Sequence, residues 1–103
     1  MKKILLACNA GMSTSLLVTR MQKAAQAQGK EVEIIAVGVT QAEAILHEWD
    51  IVLLGPQVRH HIKGLENAAK GQVPVKVIEM RDYGLMNCEK VLADALKAIE
   101  EFK

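Results

Sequence analysis

Apolar positions along the chain alternate between two periodicities. Lys3 to Ala7 reads as a buried strand, closed by the polar pair Cys8-Asn9. Leu16, Leu17, Met21, Ala24 and Ala25 then recur at helical spacing, and Gly29 is placed to end that helix. Val32 to Val37 is a second strand-like run. Thr40-Gln41-Ala42-Glu43 has the form of a capping box and predicts the start of a second helix there. After Asp50, the run Ile51-Val52-Leu53-Leu54 has no polar break, as expected of a strand buried on both faces. Gly55-Pro56 turns the chain, and proline suits the first position of a helix. Val58, Ile62, Leu65 and Ala69 make the stripe of that third helix, with Gly71 as its stop. Val75 to Ile78 reads as a fourth strand, and Met80 to Leu85 as a loop. Asn87 is placed to cap a last helix with Val91, Leu92, Ala95, Leu96 and Ile99 on its buried face.

Strand and helix alternating in this way imply an α/β fold, a parallel sheet covered by helices on both faces. Right-handed crossovers leave few topologies. In open sheets of this kind ligands bind beyond the carboxyl ends of the strands, where the strand order reverses. Three segments are expected to gather there: Cys8 to Ser13, Gly55 to Gln57, and Met80 to Leu85. The 103 residues suit one domain, 1–103, and contain no internal repeat, linker or low-complexity segment.

Composition narrows the function. Half the residues are hydrophobic, but there is one Trp, one Tyr and one Phe, so the core must be aliphatic. The net charge of +1 gives no bulk attraction to nucleic acid or to a membrane surface. The basic residues are not interleaved with aromatics, as a single-strand binder would require. No apolar run approaches the roughly 20 residues that span a bilayer. The start lacks the long apolar region of a signal peptide, so a cytoplasmic protein without membrane insertion is expected. Two cysteines do not make a disulfide framework there, and no Cys/His cluster has zinc-ligand spacing. No metal or cofactor is expected.

The informative segment is Cys8-Asn9-Ala10-Gly11-Met12-Ser13-Thr14-Ser15, between the first strand and the first helix. Gly11 relaxes the backbone, and small neighbours let amides converge on one point. The helix start adds unpaired N–H groups and partial positive charge. Ser13, Thr14 and Ser15 add hydroxyl donors. Together these residues make an anion site suited to a phosphoryl group. Cys8 stands at its front. A thiol near a helix N-terminus has a lowered pKa, and donors that hold the thiolate can also hold phosphate on its sulfur. The plain alternative is a small buried hydrophobe followed by a turn and a helix cap. No Gly-Lys-Ser/Thr follows, so this is not a nucleotide loop. The segment is also similar to the Cys-x5-Arg loop of low-molecular-weight tyrosine phosphatases and arsenate reductases. Their clamping arginine is replaced by Thr14, and the Asp-Pro pair that supplies their general acid is missing. Neutral donors suit reversible storage of a phosphoryl group better than its hydrolysis.

Other residues draw plainer readings. His60-His61 invites a phosphohistidine or metal assignment, but adjacent residues on a helix do not face the same way and no third ligand is evident, so a partly exposed helix face is the simpler account. His47 near a helix end complements a helix dipole. Cys88, in the first turn of the last helix, lacks a glycine-rich loop. Trp49 packs beside the third strand, and Tyr83 packs a loop near the site. Met12 is expected to be exposed, where a flexible apolar side chain suits docking to more than one partner.

The residues Cys8 to Val18 resemble the active-site segment of enzyme IIB components of the lactose/cellobiose class of the sugar phosphotransferase system, nearest the cellobiose and diacetylchitobiose type. Asp50 to Val58, Pro74 to Ile78 and Tyr83-Gly84 resemble that family's third strand and turn, fourth strand and last loop. The resemblance implies a four-stranded parallel sheet in the order 2-1-3-4. It implies a transferase that accepts phosphate from a phosphohistidine of an enzyme IIA partner onto Cys8. The group then passes to a sugar bound in the membrane permease IIC, with the loop amides of Asn9, Ala10, Gly11, Met12, Ser13, Thr14 and Ser15 holding the phosphate. Lactose-type members have a glycine-richer loop after the cysteine, which points instead to cellobiose, chitobiose or another beta-glucoside. The rival readings are a small phosphatase or arsenate reductase, and a regulatory domain of the same fold cut from a transcription factor.

Overall fold

The computed structural model describes residues 2–8, 12–85 and 87–102, with the side chains of Cys8, Met12, Ser13, Thr14, Ser15 and Gln57 lying outside the description. The chain runs β1 (Lys2–Cys8), α1 (Met12–Ala27), β2 (Val32–Gly38), α2 (Val39–Ile45), β3 (Ile51–Leu54), α3 (Ile62–Ala69), β4 (Val75–Val77), α4 (Met80–Gly84) and α5 (Cys88–Glu101). Short 3-10 helices, Leu46–Glu48 and Pro56–His61, precede β3 and α3. The four strands form one parallel sheet in the order β2-β1-β3-β4, as the resemblance implied.

The pleat of the central strands sorts their side chains to two faces. Ile4, Leu6, Ile51 and Leu53 face a cluster with Leu17, Met21 and Ala25 of α1 and Val91, Leu92 and Ala95 of α5. Leu5, Ala7, Val52 and Leu54 face a second cluster with Ala42, Leu46, Leu65 and Ala69, from the α2 and α3 side. The sheet is thus a middle layer with a core on each face. β3 lies between β1 and β4 and has all four residues buried, which explains its unbroken apolar run. Asp50 secures its entry: the Lys3 N–H donates to the Asp50 carboxylate at 2.8 Å, and the Asp50 N–H donates to the Lys3 carbonyl at 2.9 Å. Trp49 is buried beside that entry, with the Lys3 ammonium 4.9 Å from its ring centroid.

Several boundaries differ from the sequence expectation. Leu16 is exposed; the buried stripe of α1 is Leu17, Met21 and Ala25, every fourth residue, and Leu16 is turned about 100° away from Leu17 by the 3.6-residue period. α2 starts at Val39 because extended Gly38 ends β2 and caps the helix at once. The Gln41 side chain accepts the Gly38 N–H at 3.3 Å, so Thr40 lies inside the helix and is not its cap. The third helical segment is two pieces: Pro56 opens a 3-10 helix as expected, Val58 leaves helical geometry at φ −117°, and α3 begins at Ile62. Met80 to Leu85, expected as a loop, contains the one-turn helix α4. Asn87 stands at the start of α5 but makes no side-chain cap bond. On α5, Val91, Leu92 and Ala95 are buried, whereas Leu96 and Ile99 are partly covered.

Candidate functional site

All strands run the same way, so the segments leaving β1, β3 and β4 emerge at one end of the sheet. β1 lies between β2 and β3, with the chain's first crossover going one way and its later strands the other, so the reversal of strand order falls beside β1. Cys8 is the last residue of β1, its Cα paired with that of Gly38 in β2. Asn9, Ala10 and Gly11, the middle of the expected phosphate loop, lie outside the described residues. So do the hydroxyls of Ser13, Thr14 and Ser15 and the Met12 side chain expected to be exposed.

The backbone of Met12, Ser13, Thr14 and Ser15 is the first turn of α1. The first four N–H groups of an α-helix have no partner within it. α1 has 16 residues, about 24 Å at the usual rise, so its aligned peptide dipoles reach their full terminal effect. No acidic residue occupies that first turn to compete for the positive end. An anion placed between Cys8 and this turn would meet favourable potential from the helix.

The second element is the turn after β3. The Gly55 N–H donates to the Ala7 carbonyl at 3.0 Å, which fastens the turn one residue from Cys8. The Val58 N–H returns to the Gly55 carbonyl at 3.0 Å, while buried Pro56 starts the 3-10 helix. The third element follows β4. The Ile78 N–H donates to the Leu54 carbonyl at 2.8 Å, and α4 follows, packed against α5. Tyr83 is buried in the α1–α5 core, in line with a packing role. Asp82 is a buried carboxylate that receives the Lys90 ammonium at 3.1 Å, tying α4 to α5. That hydrogen bond and the Asp82 charge hold the Lys90 pKa above its ordinary value.

Three large apolar side chains stand exposed on α1 and around α4: Leu16, Met80 and Leu85. Sequence reasoning missed them. The signal available was phase, since Leu16 falls off the stripe set by Leu17 and Met21, and the Met80 to Leu85 stretch has no stripe of its own. The other candidates lie apart from this chemistry. Cys88 is a free, half-buried thiol that starts α5 and packs against the α1–α5 core. The His47 ring nitrogen Nε2 is 2.9 Å from the Ala68 carbonyl, so His47 addresses the last turn of α3 and not its own helix. His60 and His61 are exposed, with ring centroids 4.2 Å apart, closer than their adjacency on a helix predicts. Among the described residues no group of three His, Cys, Asp or Glu side chains is placed to hold a metal. No helix among them is long and apolar enough to cross a membrane.

A parallel four-stranded sheet with a cysteine ending its first strand and a long helix opening just beyond defines a class that comparison with known proteins makes specific. Residues 3–94 match the family described as the lactose/cellobiose-specific IIB subunit of the phosphotransferase system (PTS). A PTS oligo-beta-mannoside-specific EIIB component of Bacillus subtilis is 46% identical over 97 residues, covering 93% of this chain and 94% of that protein. Galactose-specific and cellobiose-specific EIIB components of Lactococcus lactis are each 50% identical over 102 residues, covering 91% of this chain and 93% of theirs. The solution structure of a cellobiose-specific IIB component from Borrelia burgdorferi superimposes with a TM-score of 0.83 at 41% identity, over 99% of this chain and 94% of that one. The lactose-specific IIB domain of Streptococcus pneumoniae reaches the same TM-score at 18% identity, over 93% and 95% of the two chains, a likeness of fold. The chain belongs to the lactose/cellobiose-specific IIB family of the phosphotransferase system, as its sequence resemblance implied.

Proposed function

We propose that this IIB component carries the phosphoryl group on Cys8, as a single-domain transferase at the cytoplasmic face of the membrane. The observation that carries the reading is the placement of Cys8 at the end of β1, with the unpaired N–H groups of the α1 first turn following from Met12, four positions on. The donor is a phosphohistidine of a IIA partner. The Cys8 thiolate forms the P–S bond as the donor's P–N bond breaks. The electron pair of that bond stays on the imidazole nitrogen, which takes up the proton the thiol has released. The backbone amides from Asn9 to Ser15 hold the equatorial oxygens as charge redistributes during in-line transfer. Later a sugar hydroxyl presented by a IIC permease forms a P–O bond as the P–S bond breaks; the sulfur leaves as thiolate and the hydroxyl gives up its proton to solvent. The relatives named for cellobiose and oligo-beta-mannoside support a beta-linked oligosaccharide as the sugar; the galactose-specific relative leaves a monosaccharide as the second reading.

Reconstitution with phosphoenolpyruvate, the general phosphotransferase proteins and a cognate IIA tests this. Label is expected on sulfur at Cys8, and Cys8→Ser is expected to fold normally and take none, because a serine hydroxyl is far less ionised. Full labelling of the serine variant would overturn the assignment.

A further inference from the structure

Arg59, His60 and His61 form an unbroken run of cation-capable side chains in a chain whose net charge is only +1. All three are exposed. The 3-10 helix that carries them begins at Pro56, directly after Gly55, the residue fastened to the Ala7 carbonyl beside Cys8. The nearest of its Cα atoms come within 8 Å of β1. Val58 is the buried anchor of this segment, and its departure from helical geometry leaves the next three residues off the core together. Among the described residues the only ion pair is Lys90–Asp82, so the Arg59 guanidinium is not neutralised by a carboxylate of this set. His60 and His61, their rings in contact, add ring N–H donors.

The transfer described above brings an anionic phosphoryl group toward an anionic sulfur, and the loop after Cys8 contains no cation in the place where the phosphatases put arginine. We propose that Arg59, with His60 and His61 beside it, is a cationic shoulder to the Cys8 site that attracts and orients the anionic phosphoryl group of the donor. Arg59 is a positioning residue here; it takes no part in bond making. A guanidinium in solvent acts over roughly a Debye length, about 8–10 Å at physiological salt, and Arg59 lies four residues beyond Gly55, which is fastened beside Cys8. The inference rests on the carrier reading for its purpose, but its electrostatic content can be read without any partner.

The first measurement compares alkylation of Cys8 by anionic iodoacetate and by neutral iodoacetamide, with Cys88 as the internal reference. In Arg59→Gln the iodoacetate-to-iodoacetamide rate ratio at Cys8 is expected to fall about two- to fivefold, with no change at Cys88. Arg59→Lys is expected to keep the wild-type ratio, and the difference is expected to close near 1 M salt, where screening acts within about 3 Å. The second measurement follows phosphoryl transfer from the phosphorylated IIA partner. Arg59→Gln is expected to slow it about three- to tenfold and to flatten its salt dependence, with rescue by lysine. An unchanged reagent ratio at Cys8 overturns the inference. So does a transfer rate and salt slope equal to wild type while Cys8 is labelled, which leaves the carrier reading standing. Absence of label on wild-type Cys8 overturns both.

Discussion

Asp82 is the buried charged residue of the described core, and Lys90 is the partner the structure gives its carboxylate. Removing one member of such a pair leaves the other paying its full desolvation cost. Lys90→Met is therefore expected to lower the melting temperature, and Asp82→Asn in the same background to recover part of the loss. Because the Lys90 pKa is raised in the folded state, its contribution is complete below 10.5 and fades as pH rises through the folded value. Thermal melts at neutral and strongly alkaline pH check this: the gap between wild type and Lys90→Met is expected to shrink in alkali. Neither residue was legible as a pair, since eight positions and a helix boundary separate them. The place of Cys8 at the end of β1 was legible, because an apolar run broken by Cys8-Asn9 and followed by a helical stripe is a local pattern. The exposure of Leu16, Met80 and Leu85 was not, because whether an apolar side chain is covered depends on which elements arrive from elsewhere in the chain.

The helix ends show which part of an element is encoded locally. α1 closes with a Schellman arrangement: the Lys30 N–H donates to the Ala25 carbonyl at 2.9 Å and the Gly29 N–H to the Gln26 carbonyl at 3.1 Å, with Gly29 at φ 69°. The expected stop at Gly29 is met by that geometry. α3 ends differently, with Lys70 already left-handed at φ 52° and Gly71 following at φ 72°. A side chain at Gly29 would meet no neighbour, so Gly29→Ala isolates backbone strain and is expected to cost about 1 kcal/mol. Lys70→Gly runs the other way and is expected to be neutral or stabilising, as strain is relieved against added freedom of the unfolded chain. Urea titrations of the two variants check both signs. The start of α2 misled because Thr40-x-x-Glu43 has the form of a capping box, whereas the bond observed is its return half two residues earlier, from the Gly38 N–H to the Gln41 side chain.

At the scale of the whole molecule, two aliphatic cores share one sheet. Leu5 and Leu6 are adjacent in sequence and fully buried, yet they belong to opposite cores. Each truncation to alanine is expected to cost about 2–5 kcal/mol, and the pair together to exhaust most of the 5–15 kcal/mol of an ordinary domain. Denaturant midpoints of the singles and the far-UV spectrum of the double check this. The layered fold could be read from periodicity because strands and helices differ in repeat, whereas the order 2-1-3-4 came from resemblance, since periodicity does not say which strand sits in the middle. The central place of β1 has a cost at the ribosome. Its first neighbour begins at Val32 and its second at Ile51. At roughly 5–20 residues per second, several seconds pass between synthesis of β1 and that of its second partner. Until β2 is made Ile4 to Ala7 is a sticky segment without a partner strand, and until β3 is made one edge of it stays open. Lys2 and Lys3, directly ahead of it, keep nascent copies apart by their charge, a gatekeeping duty the folded protein no longer needs.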